Sequence, residues 1–420
     1  MKKYLAYLPC LPYLLAIVLL LSVIVVPSMA SPLLQENQLR ARNLMSPEPE
    51  PPPEPAALAP EPEILPPEEV EVEAETEPQP EPEPEAEKEE KKVKAKANRQ
   101  SSRGSKYHIL GYYTVDYLGD RRSYNSLKSY GSHLDSIATF SFLIDGRGNI
   151  SGSTPRDGVK LAWNKGVTPL ALLHNYRDGA FSYTDAHKLL SSKENRRRLI
   201  NNMVKVLQRD GYAGVNIDIE DVPYYDRSNY TALVREFKAA LEPLGLLTVV
   251  SIPAKTWDAP QDGWSGAFDY AAIGKYADLV QIMAYDEHWF GGPAGPVASL
   301  PWVEQVVRYA VQQIPREKIL LGIATYGYDW SYYGTAAVTA RTVSSLISNY
   351  GATPQWSNKH SVPYFYYYRD VVRHEVWYEN AISARMKFDL VTKYKLKGIG
   401  IWNLGAEEAD FWQAVAAKLR

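Results

Sequence analysis

Cysteine is almost missing from this 420-residue chain: Cys10 is the only one. It lies in an N-terminal apolar segment, so the rest of the chain has no disulfide, no thiol nucleophile and no cysteine metal site. Stability must therefore come from a packed core. A strong charge of one sign is missing too. The formal net charge of −3 divides into 18 acidic and 12 basic residues in 1–106 and 31 acidic and 34 basic residues in 107–420. A near-neutral body with many aromatic residues lacks the basic face that a nucleic-acid partner demands. Internal repeats are absent as well, which removes solenoids and propellers.

What is present falls into three regions. Residues 1–30 read as a secretory signal peptide, with Lys2 and Lys3 as the basic start, an apolar stretch over 14–26 and Ser28-Met29-Ala30 as a small-residue cleavage site. An uncleaved anchor is the alternative, although the apolar stretch is short against the ~20 residues that span a bilayer. Residues 31–106 form a linker, rich in Pro and Glu and then in Lys, with hardly a large apolar side chain to bury. Such a segment cannot fold alone, and alternating Pro and Glu stiffen it into an extended spacer. The expected location is secreted or cell-envelope, extracytoplasmic, with membrane or wall association through the N-terminal segment left open.

From Tyr107 onward, eight β-rich runs alternate with amphipathic stretches: 108–113, 136–144, 167–174, 214–220, 247–253, 279–285, 319–326 and 398–403. That rhythm predicts an α/β fold, a (β/α)8 TIM barrel over 107–420. Helices are expected at 195–209, where Leu199, Ile200, Met203, Val206 and Leu207 recur at helical spacing, and from Asp185. The long gap between the seventh and eighth runs predicts a small α+β insertion at about 331–373, with a helix at 340–349 and a strand at 362–368.

In the fourth run Asn216, Asp218 and Glu220 stand two residues apart, so all three project from one face of a strand while Val215, Ile217 and Ile219 project from the other. A half-exposed edge strand would also show this pattern. Parallel barrel strands are covered on both faces, however, and three inward polar groups are tolerable only at an open C-terminal mouth. Two carboxyls one strand repeat apart raise each other's proton affinity, so one can stay protonated near neutral pH. Glu220, nearest the mouth, is the expected general acid, and Asp218 its electrostatic partner. A glycosidic oxygen needs such a proton donor to leave.

The run Tyr212 to Glu220, YAGVNIDIE, resembles the motif of family 18 glycoside hydrolases, an aromatic residue followed by D-G-x-D-x-D-x-E. Four further resemblances follow in order: Gly111-Tyr112-Tyr113, Phe140-Ser141-Phe142, Met283-Ala284-Tyr285-Asp286 and Trp402. The resemblance implies a retaining, chitinase-like enzyme whose nucleophile is the N-acetyl carbonyl oxygen of its own substrate. It further implies that Asp218 orients the acetamido nitrogen, Tyr285 bonds the acetamido oxygen, Glu220 serves as acid and then base, and Trp402 floors the sugar site. Asn216, Tyr112, Phe140, Met283 and Asp286 are implied to line that site. No cofactor and no metal are implied, and His288, without a second histidine at ligand spacing, is expected to be a loop residue.

Two positions depart from the motif. Ala213 and Asn216 stand where aspartates are usual, and Asn216 is expected to hydrogen-bond Asp218 without sharing its proton. The surrounding motifs 285–289, 295–302 and 377–381 are most similar to those of bacterial spore-germination and cortex-lytic N-acetylglucosaminidases. The implied substrate is therefore a β-1,4-linked N-acetylglucosamine polymer, peptidoglycan before chitin. Those enzymes typically carry wall-binding LysM repeats; the Pro/Glu spacer stands here instead, so wall attachment by that route is not expected. The alternative is a non-catalytic, lectin-like carbohydrate-binding barrel of the envelope.

Overall fold

The computed structural model describes residues 106–420. The expected signal peptide and nearly all of the linker lie outside the described residues. No helix among the described residues is long and apolar enough to cross a membrane.

Eight parallel strands close into a barrel: His108–Tyr113, Ser136–Ile144, Thr168–His174, Gly214–Asp218, Leu247–Pro253, Leu279–Met283, Ile319–Ala324 and Gly398–Trp402. The ring closes because the first strand pairs with both the eighth, through His108 and Gly398, and the second, through Leu110 and Ser136. A closed parallel ring leaves no unpaired edge, and helices must then cover its outer face. Along the fourth strand Val215 and Ile217 turn outward and belong to the large core between barrel and helices. Leu110, Tyr112, Ala138, Leu170, Leu172, Val249 and Leu320 turn inward and fill the barrel itself. Layers of inward side chains make the centre a packed core, so polar inward residues lie towards its two ends, with His108 and Ser136 bonded to each other at the N-terminal end and the larger polar group at the C-terminal mouth.

The helix that precedes the fourth strand shows how the sequence builds this shell. It spans Lys193–Asp210, starts where the Ser192 hydroxyl accepts the Asn195 N–H, and stops at Gly211, whose φ of 72° suits a residue without a Cβ. Its buried stripe of Leu199, Ile200, Met203 and Leu207 follows the expected helical spacing, and each such side chain is worth ~1.5–3 kcal/mol when fully buried. The helix expected from Asp185 begins earlier, at Tyr183. The Ser182 hydroxyl caps it by accepting the Asp185 N–H, which makes Asp185 a first-turn residue.

The insertion is larger than the expected 331–373. Strands Tyr326–Ser331, Gly334–Thr339, Gln355–Ser357, Val362–Arg369 and Val372–Tyr378 form one antiparallel sheet, with the helix Ala340–Tyr350 between the second and third. The first begins one residue beyond Thr325, directly off the seventh barrel strand. Its interior charge hid it: Asp329 accepts the Tyr367 hydroxyl at 2.6 Å and meets His374 Nδ1 at 2.8 Å, partners about forty positions away.

A buried ion pair stands at the helix that follows the insertion, Ala381–Tyr394. Lys387 Nζ donates to Glu379 Oε2 at 2.6 Å, the Ser383 hydroxyl donates to the same oxygen, and Glu379 Oε1 is buried without a partner. Burial pushes the Glu379 carboxyl up, and Lys387 holds it back. Removing one partner of such a pair leaves an uncompensated charge, at a cost of ~3–5 kcal/mol. Lys387→Met is therefore expected to lower the thermal midpoint by several degrees at pH 8 and by less at pH 5, where Glu379 can take up a proton. Circular dichroism melts at the two pH values check this; an unchanged midpoint at pH 8 would refute the pairing argument.

Candidate active site

The C-terminal ends of the strands converge on a polar mouth. Asn216 and Asp218 face inward from the fourth strand and are almost wholly buried, at 0% and 4% exposure. Glu220 was expected to lie on the same strand, but the ladder stops at Asp218. Beyond it the backbone is held by a side chain: Glu220 N–H donates to Asn175 Oδ1 at 2.9 Å, and Asn175 Nδ2 donates to the Glu220 carbonyl at 2.7 Å. The fully buried Asn175 amide thus replaces the strand neighbour that Glu220 has lost. Nothing local in the sequence announces this role, since Asn175 follows the third strand and its partner lies 45 positions on.

Asn216, expected to line the sugar site and to bond Asp218, is fully buried and does not hydrogen-bond Asp218. Its Oδ1 accepts the Ser251 hydroxyl at 2.9 Å, its Nδ2 reaches the Tyr112 oxygen at 3.4 Å, and Tyr112 and Ser251 stand 2.7 Å apart. With Ser251 donating to Asn216, Tyr112 donates to Ser251, and the three groups satisfy one another. Ser251, on the neighbouring fifth strand, competes for the amide and wins. Asp218 Oδ1 is left buried with no partner.

Tyr112 was expected to line the cleft. It is 1% exposed and lies beneath the surface, edge-on to Trp402 with centroids 5.3 Å apart, because its inward position falls in a filled layer of the barrel. Phe140 meets Trp402 at 5.7 Å and stacks on His174 at 4.1 Å, so Trp402, Phe140 and His174 make a continuous aromatic wall. The Trp402 carbonyl accepts both the N–H and the hydroxyl of Thr325, which fixes the end of the eighth strand. Met283 ends the sixth strand, half-buried beside Pro253 of the fifth.

Tyr285 lies two residues past that strand. Its oxygen accepts from Gln281 Nε2 at 3.4 Å, a long bond that leaves the hydroxyl hydrogen free. Gly322 makes room for it: a Cβ there would come within 2.4 Å of the Ile282 carbonyl and 2.9 Å of the Tyr285 ring. Asp286 adopts φ 60°, a left-handed conformation that Asp tolerates better than most residues. Its Oδ1 accepts the hydroxyls of Tyr326 and Tyr328 at 2.6 and 2.9 Å, which ties the mouth to the first insertion strand. His288 is a loop residue whose Nδ1 faces the Pro296 carbonyl at 3.1 Å.

Burial dominates the electrostatics. It pushes the Asp218 carboxyl up to about 7. Glu220 is raised well above the usual carboxylate range, first by burial and then by the charges of Asp218, Asp286 and Asp221. Burial also raises the Tyr285 phenol far enough to keep it a donor. The arrangement presents a protonatable acid, an unpartnered buried acceptor and a phenolic donor beside an aromatic floor. A separate hollow, walled by Thr325, Val343, Tyr378, Glu379, Glu407 and Phe411, contains none of these groups.

Comparison with known proteins gives a consistent picture. The family model of glycosyl hydrolases family 18 matches residues 178–407. The uncharacterized glycosylase YvbX of Bacillus subtilis is 36% identical over 309 residues, which cover 72% of this chain and 90% of that protein. Among solved structures, the spore cortex-lytic enzyme SleL of Bacillus megaterium aligns with a TM-score of 0.70 at 28% identity, covering 76% of each chain. A chitinase from Chromobacterium violaceum aligns with a TM-score of 0.69 at 32% identity, covering 74% of this chain and 99% of its own.

Proposed function

This chain belongs to glycosyl hydrolase family 18, and we propose that within it the chain is an exported, retaining enzyme that cuts β-1,4 bonds of N-acetylglucosamine polymers by substrate-assisted catalysis. The observation that carries the reading is the Asp218 carboxylate oxygen, buried without a partner beside Glu220. An unpaired buried acceptor is costly, and a turn of the Asp218 side chain that brings this oxygen to a substrate N–H regains that cost on binding.

In the first step the acetamido carbonyl oxygen attacks the anomeric carbon while the glycosidic C–O bond breaks. Glu220 gives its proton to the departing oxygen, and the sugar becomes an oxazolinium ion. Asp218 accepts the acetamido N–H and offsets the positive charge that develops there. Tyr285 donates to the acetamido oxygen and holds it in line for attack. In the second step Glu220, now a carboxylate, takes a proton from water as that water attacks the same carbon and the bond from that carbon to the acetamido oxygen breaks, which frees the N-acetyl group and restores the original configuration. Trp402 supplies an apolar floor for the sugar ring, and Phe140, Met283 and Asp286 form the walls.

Peptidoglycan of the spore cortex is the preferred substrate and chitin the second. The similarity to a cortex-lytic enzyme of the same architecture supports the first, and the 32% identity to a chitinase keeps the second in the test. Export is part of the proposal and is supported by the basic-then-apolar composition of residues 1–30. To test the reading, the purified protein and its Glu220→Gln variant are incubated with spore peptidoglycan and with chitin oligomers, and the fragments are identified by mass spectrometry. New reducing ends at N-acetylglucosamine, released by the wild type alone, are expected. Equal, negligible release by both proteins would leave only a sugar-binding barrel.

The same groups set a pH dependence. Glu220 must be protonated to act as acid, and its affinity for the proton is raised, so kcat/KM should persist well above pH 4.5 and fall as pH rises through the raised value. A pH–rate profile checks this; an alkaline limb centred near 4.5 would contradict it.

A further inference from the structure

We propose that His174 is a substrate-contacting residue, whose Nε2–H donates a hydrogen bond to an uncharged oxygen of the sugar seated on Trp402. The proposal rests on the saccharide reading above and goes beyond it by assigning a contact outside the family motif. His174 ends the third strand two positions after Leu172, which faces the barrel interior, so the strand alternation turns His174 inward as well. Its register partner is Asp218. The ring lies flat on Phe140, with centroids 4.1 Å apart and planes within 11°, and is 8% exposed.

One ring nitrogen is already committed. Nδ1 accepts the Tyr176 backbone N–H at 3.2 Å, so it carries no hydrogen and the neutral tautomer has its proton on Nε2. Among the described residues Nε2 has no hydrogen-bond partner, and it is not one of the unpaired polar atoms sealed from solvent. An unpaired donor at the inward end of a barrel strand, directly opposite Asp218 in register, faces the bound ligand.

The chemistry of that ligand follows from charge. Burial lowers the imidazole pKa to about 4, so the ring stays neutral in mildly acidic and neutral solution. A neutral donor whose register partner is Asp218 suits a hydroxyl or amide oxygen. The unit held there is an uncharged sugar such as N-acetylglucosamine.

Two substitutions separate this role from a structural one. In His174→Gln the side-chain amide can occupy the Nε2 position but loses the bond to Tyr176. In His174→Asn the shorter side chain keeps an acceptor for Tyr176 but does not reach the ligand. The measurements are kcat/KM on fluorogenic N-acetylglucosamine oligomers, and oligomer binding by calorimetry with each change placed in the Glu220→Gln background. His174→Asn is expected to weaken both by about 10-fold, chiefly through KM, as loss of one hydrogen bond from a buried group implies. His174→Gln should stay within ~3-fold of its parent. If Asn performs as well as Gln or better, His174 serves Tyr176 alone and the proposal is overturned. If the wild type neither binds nor cleaves the oligomers, the saccharide reading falls and takes the proposal with it.

Discussion

Glu220→Gln should reduce kcat/KM by on the order of 10³-fold while oligomer binding stays close to that of the wild type, the range in which loss of a general acid falls. Gln keeps the shape and a hydrogen-bond donor but has no proton to give, so the leaving oxygen departs as a poorly stabilised anion. The Asn175 bonds hold the main chain of residue 220, not its side chain, and should survive the change. The same variant has a second expected effect of opposite sign. The raised Glu220 pKa means that the folded protein binds this proton more tightly than the unfolded chain. Stability from that proton is full below about 4.5 and is lost as pH rises through the folded-state value. Gln does not titrate, so the variant should melt at a higher temperature than the wild type at pH 8 and near the same temperature at pH 4. Melting curves at both values, beside rates at pH 6, test this pair of effects. Wild-type activity in the variant would remove Glu220 from the chemistry.

Asp218→Asn should cost about 10²- to 10³-fold in kcat, the scale set by removal of one preorganised electrostatic partner from an enclosed site. Asn can still accept the acetamido N–H through its oxygen, but it cannot offset the positive charge of the oxazolinium ion. The loss should therefore appear in kcat more than in KM. The charge of Asp218 is also one of the causes that raise Glu220. Without it Glu220 releases its proton at lower pH, and the alkaline limb of the rate profile should shift acidward. A rate loss with no movement of that limb would mean that the two carboxyls are not coupled.

The barrel and the acidic line were legible because both are periodic. Three strands, 108–113, 136–144 and 247–253, have the bounds that alternation predicts. Four others were expected to run one or two residues further towards the mouth, to Glu220, Tyr285, Tyr326 and Asn403. There the backbone leaves the ladder and is bonded by Asn175 near Glu220 and by Thr325 near Asn403, so apolar patterning no longer reports its path. The insertion sheet was under-read for a related reason. Asp329 and His374 sit within its strands and are satisfied by each other and by Tyr367, which no local window contains. Ser251, Gln281, His174 and Asn175 escaped notice likewise. Each is a polar residue on a barrel strand or just beyond one; Ser251, His174 and Asn175 take their meaning from a neighbouring strand, and Gln281 from Tyr285, past the end of its own.

The clamp between Asn175 and Glu220 has a consequence for how such a barrel can be recombined. A βα unit is often treated as an exchangeable module, with loops free to vary over a common frame. Here the acid is carried by the fourth unit and its backbone support by the third. A chimera that joins relatives between 175 and 214 would inherit the acid from one parent and its anchor from another. The third and fourth units form a single inheritance block, and a crossover placed elsewhere in the barrel leaves that block whole.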